Sequence, residues 1–140
     1  MAIMVEKVDT IVVGAGPAGS AAAYSLARAD NQVLLVERAK TPGEKNVSGG
    51  VLFGSVLHQL IPNFWEDAPI ERTIINRNLV FLSGESSFSL DFSSKKLENP
   101  PHCGYSIIRY DFDQWFAKRA EEAGALLATG IRVDELAWEN

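Results

Sequence analysis

The stretch Val8-Asp9-Thr10-Ile11-Val12-Val13-Gly14-Ala15-Gly16-Pro17-Ala18-Gly19 decides the fold. Residues 8–13 are a short apolar run, rich in β-branched side chains, that stops at a glycine. That is the pattern of a buried parallel strand. Residues 17–29 are rich in alanine and predict a helix. Pro17 suits its first turn, where a missing N–H costs nothing. Asp30-Asn31 supplies a turn, and residues 33–37 predict a second strand. The unit occupies about 30 residues, the length of a right-handed strand–helix–strand crossover.

Each glycine has a task in such a unit. Gly14 lets the chain turn sharply out of the strand, Gly16 presents bare backbone to a diphosphate, and Gly19 lets the helix pack closely on the strand. The helix N-terminus adds unpaired N–H groups and a partial positive charge. Glu37 closes the second strand 18 residues after Gly19, near the spacing of about 20 at which an acidic side chain meets an adenosine ribose. Gly14, Ala15, Gly16, Pro17, Ala18, Gly19 and Glu37 are therefore candidate dinucleotide-binding residues. A ligand-free glycine turn is the plain alternative. The strand before the loop, the helix after it and the carboxylate beyond weigh against that. The loop itself does not separate FAD from NAD. After Glu37, however, come a 13-residue loop, a short helix and a hairpin. An NAD-dependent dehydrogenase of the doubly wound type would continue its strand–helix repeat there. FAD is the preferred reading.

Residues 51–61 have a helical spacing that Pro62 ends. Residues 73–82 and 87–92 alternate apolar and polar side chains and predict an antiparallel hairpin. A short strand is predicted at residues 105–109. The clearest helix is residues 111–123, with Phe112, Trp115, Phe116, Ala120 and Ala123 on one face. Asp111 is its predicted N-cap and Gly124 its stop. Residues 125–128 and 131–138 predict two strands around Thr129-Gly130. The fold class expected is α/β: a Rossmann-like parallel sheet of the FAD/NAD(P)-binding kind, with a strand–helix–strand start and an inserted antiparallel hairpin. Residues 1–140 read as one FAD-binding domain. The sequence stops at Asn140, just after a predicted strand, so the sheet is expected to be incomplete and to belong to a longer chain. A truncated remnant that binds cofactor poorly is the alternative.

Charge and composition exclude other classes. Thirteen basic against eighteen acidic residues give a net charge of −5, which argues against a nucleic-acid partner. A single cysteine, Cys103, excludes an internal disulfide, and a cysteine-ligated iron–sulfur cluster would need about four. His58 and His102 stand apart and read as structural, so no metal site is expected. No apolar run reaches the roughly 18–20 residues of a membrane span, and residues 1–7 do not resemble a secretory signal. A cytoplasmic location is expected. No side chain stands out as a general acid or base, and no catalytic residue is assigned.

The motifs Val12-Val13-Gly14-Ala15-Gly16-Pro17-Ala18-Gly19-Ser20-Ala21-Ala22 and Leu35-Val36-Glu37-Arg38 resemble the start of FAD-dependent oxidoreductases of the glutathione-reductase-like superfamily. Pro42-Gly43-Glu44-Lys45-Asn46-Val47-Ser48-Gly49-Gly50-Val51-Leu52 is more specific. It resembles the electron-transfer-flavoprotein–quinone oxidoreductase family, in its bacterial FixC-type branch. Ile61-Pro62-Asn63-Phe64-Trp65, Ala68-Pro69-Ile70-Glu71-Arg72 and Ile108-Arg109 with Phe112-Asp113-Gln114-Trp115-Phe116 fit the same branch. The geranylgeranyl-reductase family shares the plan but usually has a different loop at residues 46–50.

The resemblance runs the length of the chain, and members of the family are much longer. It implies FAD as cofactor. It also implies electron transfer from an electron-transfer flavoprotein to a quinone or a ferredoxin-like protein, with residues 1–140 inactive by themselves. Residue by residue, it implies that Arg38 flanks the adenosine and that Ser48, Gly49 and Gly50 lie near the ribityl chain and flavin ring. It further implies that Arg109 reaches the cofactor and that the Val133 backbone faces the adenine. Plainer alternatives remain for two of these: a flexible turn at residues 48–50, and an ion pair of Arg109 with Asp111 or Asp113.

Overall fold

The computed structural model describes residues 7–138. Apart from Lys7, the N-terminal stretch read for a secretory signal lies outside them, as do Glu139 and Asn140. The elements run β1 (Thr10–Val13), α1 (Pro17–Ala27), β2 (Val33–Glu37), β3 (Gly50–Phe53), α2 (Gly54–Leu60), β4 (Ile70–Ile74), β5 (Asn76–Leu82), β6 (Ser87–Ser93), β7 (Gly104–Ile107), α3 (Arg109–Glu122) and β8 (Leu126–Thr129). Two compact units result: the chain up to Ser48 with Arg109 onward, and Gly49–Ile108.

The first unit is a parallel sheet in the order β1-β2-β8. Thr10 lies opposite Val33, and Leu34 opposite Leu126. Val12, Val33, Leu35 and Leu127 pack with Ala15, Ala23, Ala27, Ala117, Ala120 and Ala125 in the core. Alanine on both helices allows the close approach that this layer needs, and it contributes no polar atom to the interior. On the other face, alternation leaves Ile11 and Val13 57% and 62% exposed. Among the described residues, no strand pairs with the outer edge of β1.

The second unit holds an antiparallel sheet, β3-β7-β4, and a two-stranded hairpin, β5-β6. Its core centres on Phe64, fully buried and edge-on to the Tyr105 ring at 5.4 Å. The buried Cys103 thiol donates to the Tyr105 hydroxyl at 3.1 Å. Burial above all pushes the Tyr105 pKa well above its ordinary value. In the hairpin, Leu79 pairs with Leu90 and Phe81 with Phe88. All four, with Phe92, are more than half exposed.

Where the structure departs from the sequence reading, tertiary pairing or a local cap explains it. The first strand starts at Thr10 rather than Val8. α1 ends at Ala27, two residues early, because the Asn31 amide donates to the Leu26 and Ala29 carbonyls. Residues 51–61 are not one helix. Gly50–Phe53 pair with β7, and α2 begins only at Gly54. A Cβ on Gly54 would lie 2.6 Å from the Pro101 carbonyl oxygen, so glycine permits this junction. The stretch predicted as the first hairpin strand is divided, since β4 joins β7 and only Asn76–Leu82 pairs with β6. The strand predicted at residues 105–109 ends at Ile107. Arg109 opens α3, so Asp111 sits in the first turn and is not the N-cap. Gly124, at φ +111°, follows the helix as its stop. Residues 131–138 form no ladder. Their anchor is the Ile131 N–H, which donates to the Glu37 carbonyl at 3.0 Å.

Candidate dinucleotide site

The site is built at the carboxyl end of β1, within the first unit. Gly14 has φ +98° and donates its N–H to the Val36 carbonyl at 2.7 Å. That turn carries the chain from the strand into α1, and a β-carbon would strain it. A Cβ on Gly19 would lie 1.8 Å from the Gly14 carbonyl oxygen, so helix and loop are in direct backbone contact there. Gly16 is different: a Cβ on it would meet only the Arg109 Nη2, at 3.7 Å. The absence of a side chain at Gly16 keeps the front of the loop open.

Gly16 is also the N-cap of α1, and no side chain caps the helix. Its first turn contains no acidic residue, and Pro17 is at its start. The first-turn N–H groups of Ala18 and Gly19 have no carbonyl one turn back to accept them. An anion is the ligand this end is fitted to receive.

Glu37 does more than the sequence suggested. Its Oε2 accepts the Ala15 N–H at 2.8 Å and its Oε1 accepts the Ala39 N–H at 2.8 Å. The carboxylate therefore ties the glycine loop to the end of β2. Each oxygen retains a second lone pair, so a ribose hydroxyl can still donate to it. Beside it is a cavity of about 370 Å³ lined by Val13, Gly14, Glu37, Arg38, Ile131 and Val133, among others. A volume of that size suits a small planar ligand group. Arg38 and Val133, expected near an adenosine, both line this cavity.

Arg109 lies at the loop rather than at a remote ion pair. Its Nε and Nη2 donate to the two oxygens of Asp113, each at 2.9 Å, while Nη2 flanks Gly16. Of the two carboxylates considered from sequence, Asp113 is the partner. Its hydrogen bond raises the Arg109 pKa above the ordinary value; partial burial opposes the shift and the carboxylate's charge adds to it. Asn46 also donates to Asp113, at 2.5 Å. Ser48 ends the first unit, exposed. Gly49, at φ +92°, and Gly50, the first residue of β3, belong to the second. Sequence reasoning missed Asn46 and Asp113 as members of the site, and Ile131 as part of the cavity. The identity of the arginine's partner depends on where α3 begins. Among the described residues, no group of three His, Cys, Asp or Glu could hold a metal, and no helix is long and apolar enough to cross a membrane.

Residues 1–90 match the Thi4 family. The chain belongs to the Thi4 family. The resemblance to FixC-type proteins read from the sequence also holds. This Thi4-family chain is 46% identical over 133 residues to Protein FixC of Azotobacter vinelandii, covering 95% of this chain and 31% of that protein. It is 43% identical over 134 residues to a probable electron transfer flavoprotein-quinone oxidoreductase, YdiS, of Escherichia coli strain K12, covering 96% of this chain and 31% of that one. It thus spans about a third of the length of the curated relatives it matches. The myxobacterial chondrochloren halogenase CndH, a FAD-dependent halogenase, shares the fold with a TM-score of 0.73 at 23% identity, over 94% of this chain and 30% of that one.

Proposed function

We propose that residues 1–140 form one FAD-binding module, the N-terminal part of a flavin-dependent oxidoreductase. Its role is to pass electrons from an electron-transfer flavoprotein to a quinone or a ferredoxin-like acceptor. The observation that carries the reading is the uncapped, open glycine loop of α1, with Glu37 on one side and Arg109 on the other. The FixC and YdiS names support the electron-transfer role. The fold shared with a FAD-dependent enzyme supports FAD over NAD.

The loop Gly14, Ala15, Gly16, Pro17, Ala18 and Gly19 seats the diphosphate, which meets the N–H groups of Gly16, Ala18 and Gly19 and the positive end of the helix dipole. Glu37 accepts from the adenosine ribose, and Arg38 and Val133 border the adenine. Arg109 neutralises the diphosphate. Ser48, Gly49 and Gly50 are assigned to the ribityl and flavin side. FAD, when bound, supplies the electron-carrying ring, and the protein supplies orientation and electrostatics.

Titration with FAD, followed by flavin fluorescence, tests the binding half. Saturable quenching that ADP competes away and Gly16→Val abolishes is expected. Equal binding by Gly16→Val, or tighter binding of NADH than FAD, would sink the assignment. The electron-transfer half predicts that reduced electron-transfer flavoprotein drives quinone reduction by the longer, FAD-loaded enzyme of which these residues are the N-terminal part. An inert mixture overturns that half alone.

A further inference from the structure

Asp113 has no exposed surface. It lies one turn into α3 and accepts from three donors: Arg109 Nε, Arg109 Nη2 and Asn46 Nδ2. Burying a carboxylate is costly unless its oxygens are matched this fully. Arg109 is equally conspicuous. It is the first residue of α3, where a cation opposes the helix dipole. The fold keeps it there, with its guanidinium directed along Gly16.

The loop that contributes Asn46 is itself fixed to this corner. Gly43, at φ +83°, packs so tightly that a Cβ on it would stand 2.7 Å from the Arg109 carbonyl oxygen. Loop and helix thus meet at two points, the Gly43 backbone and the Asn46 side chain. The bidentate pair uses Nε and one N–H of Nη2, which leaves the second N–H of Nη2, the atom that flanks Gly16, for a ligand at the glycine loop.

We propose that Asp113 and Asn46 are positioning residues for diphosphate recognition. Asp113 holds the guanidinium at the mouth of the glycine loop, and Asn46 holds Asp113 to the loop of residues 38–48. This rests on reading the glycine loop as a diphosphate seat. The competing account is a purely structural ion pair that joins loop to helix. The two differ in whether the carboxylate and the arginine act on ligand binding as one unit.

The test is a double-substitution cycle on the whole chain with two probes, ADP and adenosine, titrated at two salt concentrations. Arg109→Gln and Asp113→Asn are each expected to weaken ADP about 10-fold, as loss of a charge-assisted hydrogen bond does. Both should flatten its salt dependence and leave adenosine unchanged. The double variant should bind ADP no worse than Arg109→Gln alone. Asn46→Ala keeps the ion pair and should cost ADP about 3-fold. If Asp113→Asn does not fold, Asn46→Ala with Arg109→Gln gives the same cycle. Losses that multiply, or folded Asp113→Asn and Asn46→Ala chains that bind ADP like the parent, would overturn the proposal and leave the FAD reading intact. A parent chain that binds no ADP would overturn both.

Discussion

Gly19→Ala is expected to destabilise the first unit, because the new methyl group has no room. Its Cβ would stand 1.8 Å from the Gly14 carbonyl oxygen and 3.0 Å from the carbonyl carbon, with Val12 Cγ1 at 3.5 Å. To restore even a 3.0 Å separation, loop and helix must part by about 1.2 Å. α1 has no slack for that, since Ser20, Ala23 and Ala27 are all buried in its interface. Overpacking of this kind costs about 1–3 kcal/mol, and a rigid backbone oxygen puts it at the upper end. Alanine returns about 1 kcal/mol through its better helix propensity. The net loss is about 2 kcal/mol, equivalent to a fall of about 8 °C in Tm for a chain of this size. Urea unfolding followed by far-ultraviolet circular dichroism measures it. Gly16→Ala is the control: its Cβ meets only Arg109 Nη2, at 3.7 Å, and should cost at most about 1 kcal/mol through poorer capping. A Gly19→Ala chain as stable as the parent would refute the close-packing argument.

Glu37→Gln replaces an oxygen with an NH₂ group, so one of the Ala15 and Ala39 N–H groups is left facing a donor. A loss of about 1–3 kcal/mol is expected, with faster amide exchange at Ala15 or Ala39 in NMR. Unchanged exchange at both would contradict the tie. Gly43→Ala combines a φ of +83° with a clash against the Arg109 and Tyr110 backbone. At least about 2 kcal/mol of destabilisation is expected in thermal denaturation. A neutral result would mean that the loop is not seated on α3 as described.

The parts legible in the sequence are those whose signal is local. Residues 33–37 and the Gly14 to Gly19 loop carry their own pattern, and β2 and the loop appear as predicted. Helix α3 was visible in its apolar face, of which Phe112, Phe116 and Ala120 are buried. What failed depends on partners far along the chain. Gly50–Phe53 became a strand because residues 104–107 present a ladder. Residues 131–138 had strand-like composition but found no ladder. The site divides the same way. Glycine spacing revealed the diphosphate loop, whereas Asn46 and Asp113 meet across 67 residues of sequence, and no periodicity marks such a pair. Arg109 carried a local clue, an acidic residue at i+4, but that spacing acquires meaning only once the helix is known to begin at Arg109 itself.

Glu37 shows why a single carboxylate cannot be given one role. Its acceptance of the Ala15 N–H removes that group from the set available to a diphosphate. The anion contacts then come from the N–H groups of Gly16, Ala18 and Gly19 and from Arg109. The same hydrogen bond fixes the angle at which the glycine loop leaves β1, so Glu37 shapes the diphosphate seat without touching the diphosphate. A Glu37→Gln chain should therefore lose affinity for ADP as well as for adenosine. Arg109→Gln should lose affinity for ADP alone. If adenosine binding survives Glu37→Gln while ADP binding falls, the carboxylate acts only through the loop, and its assignment to the ribose is wrong.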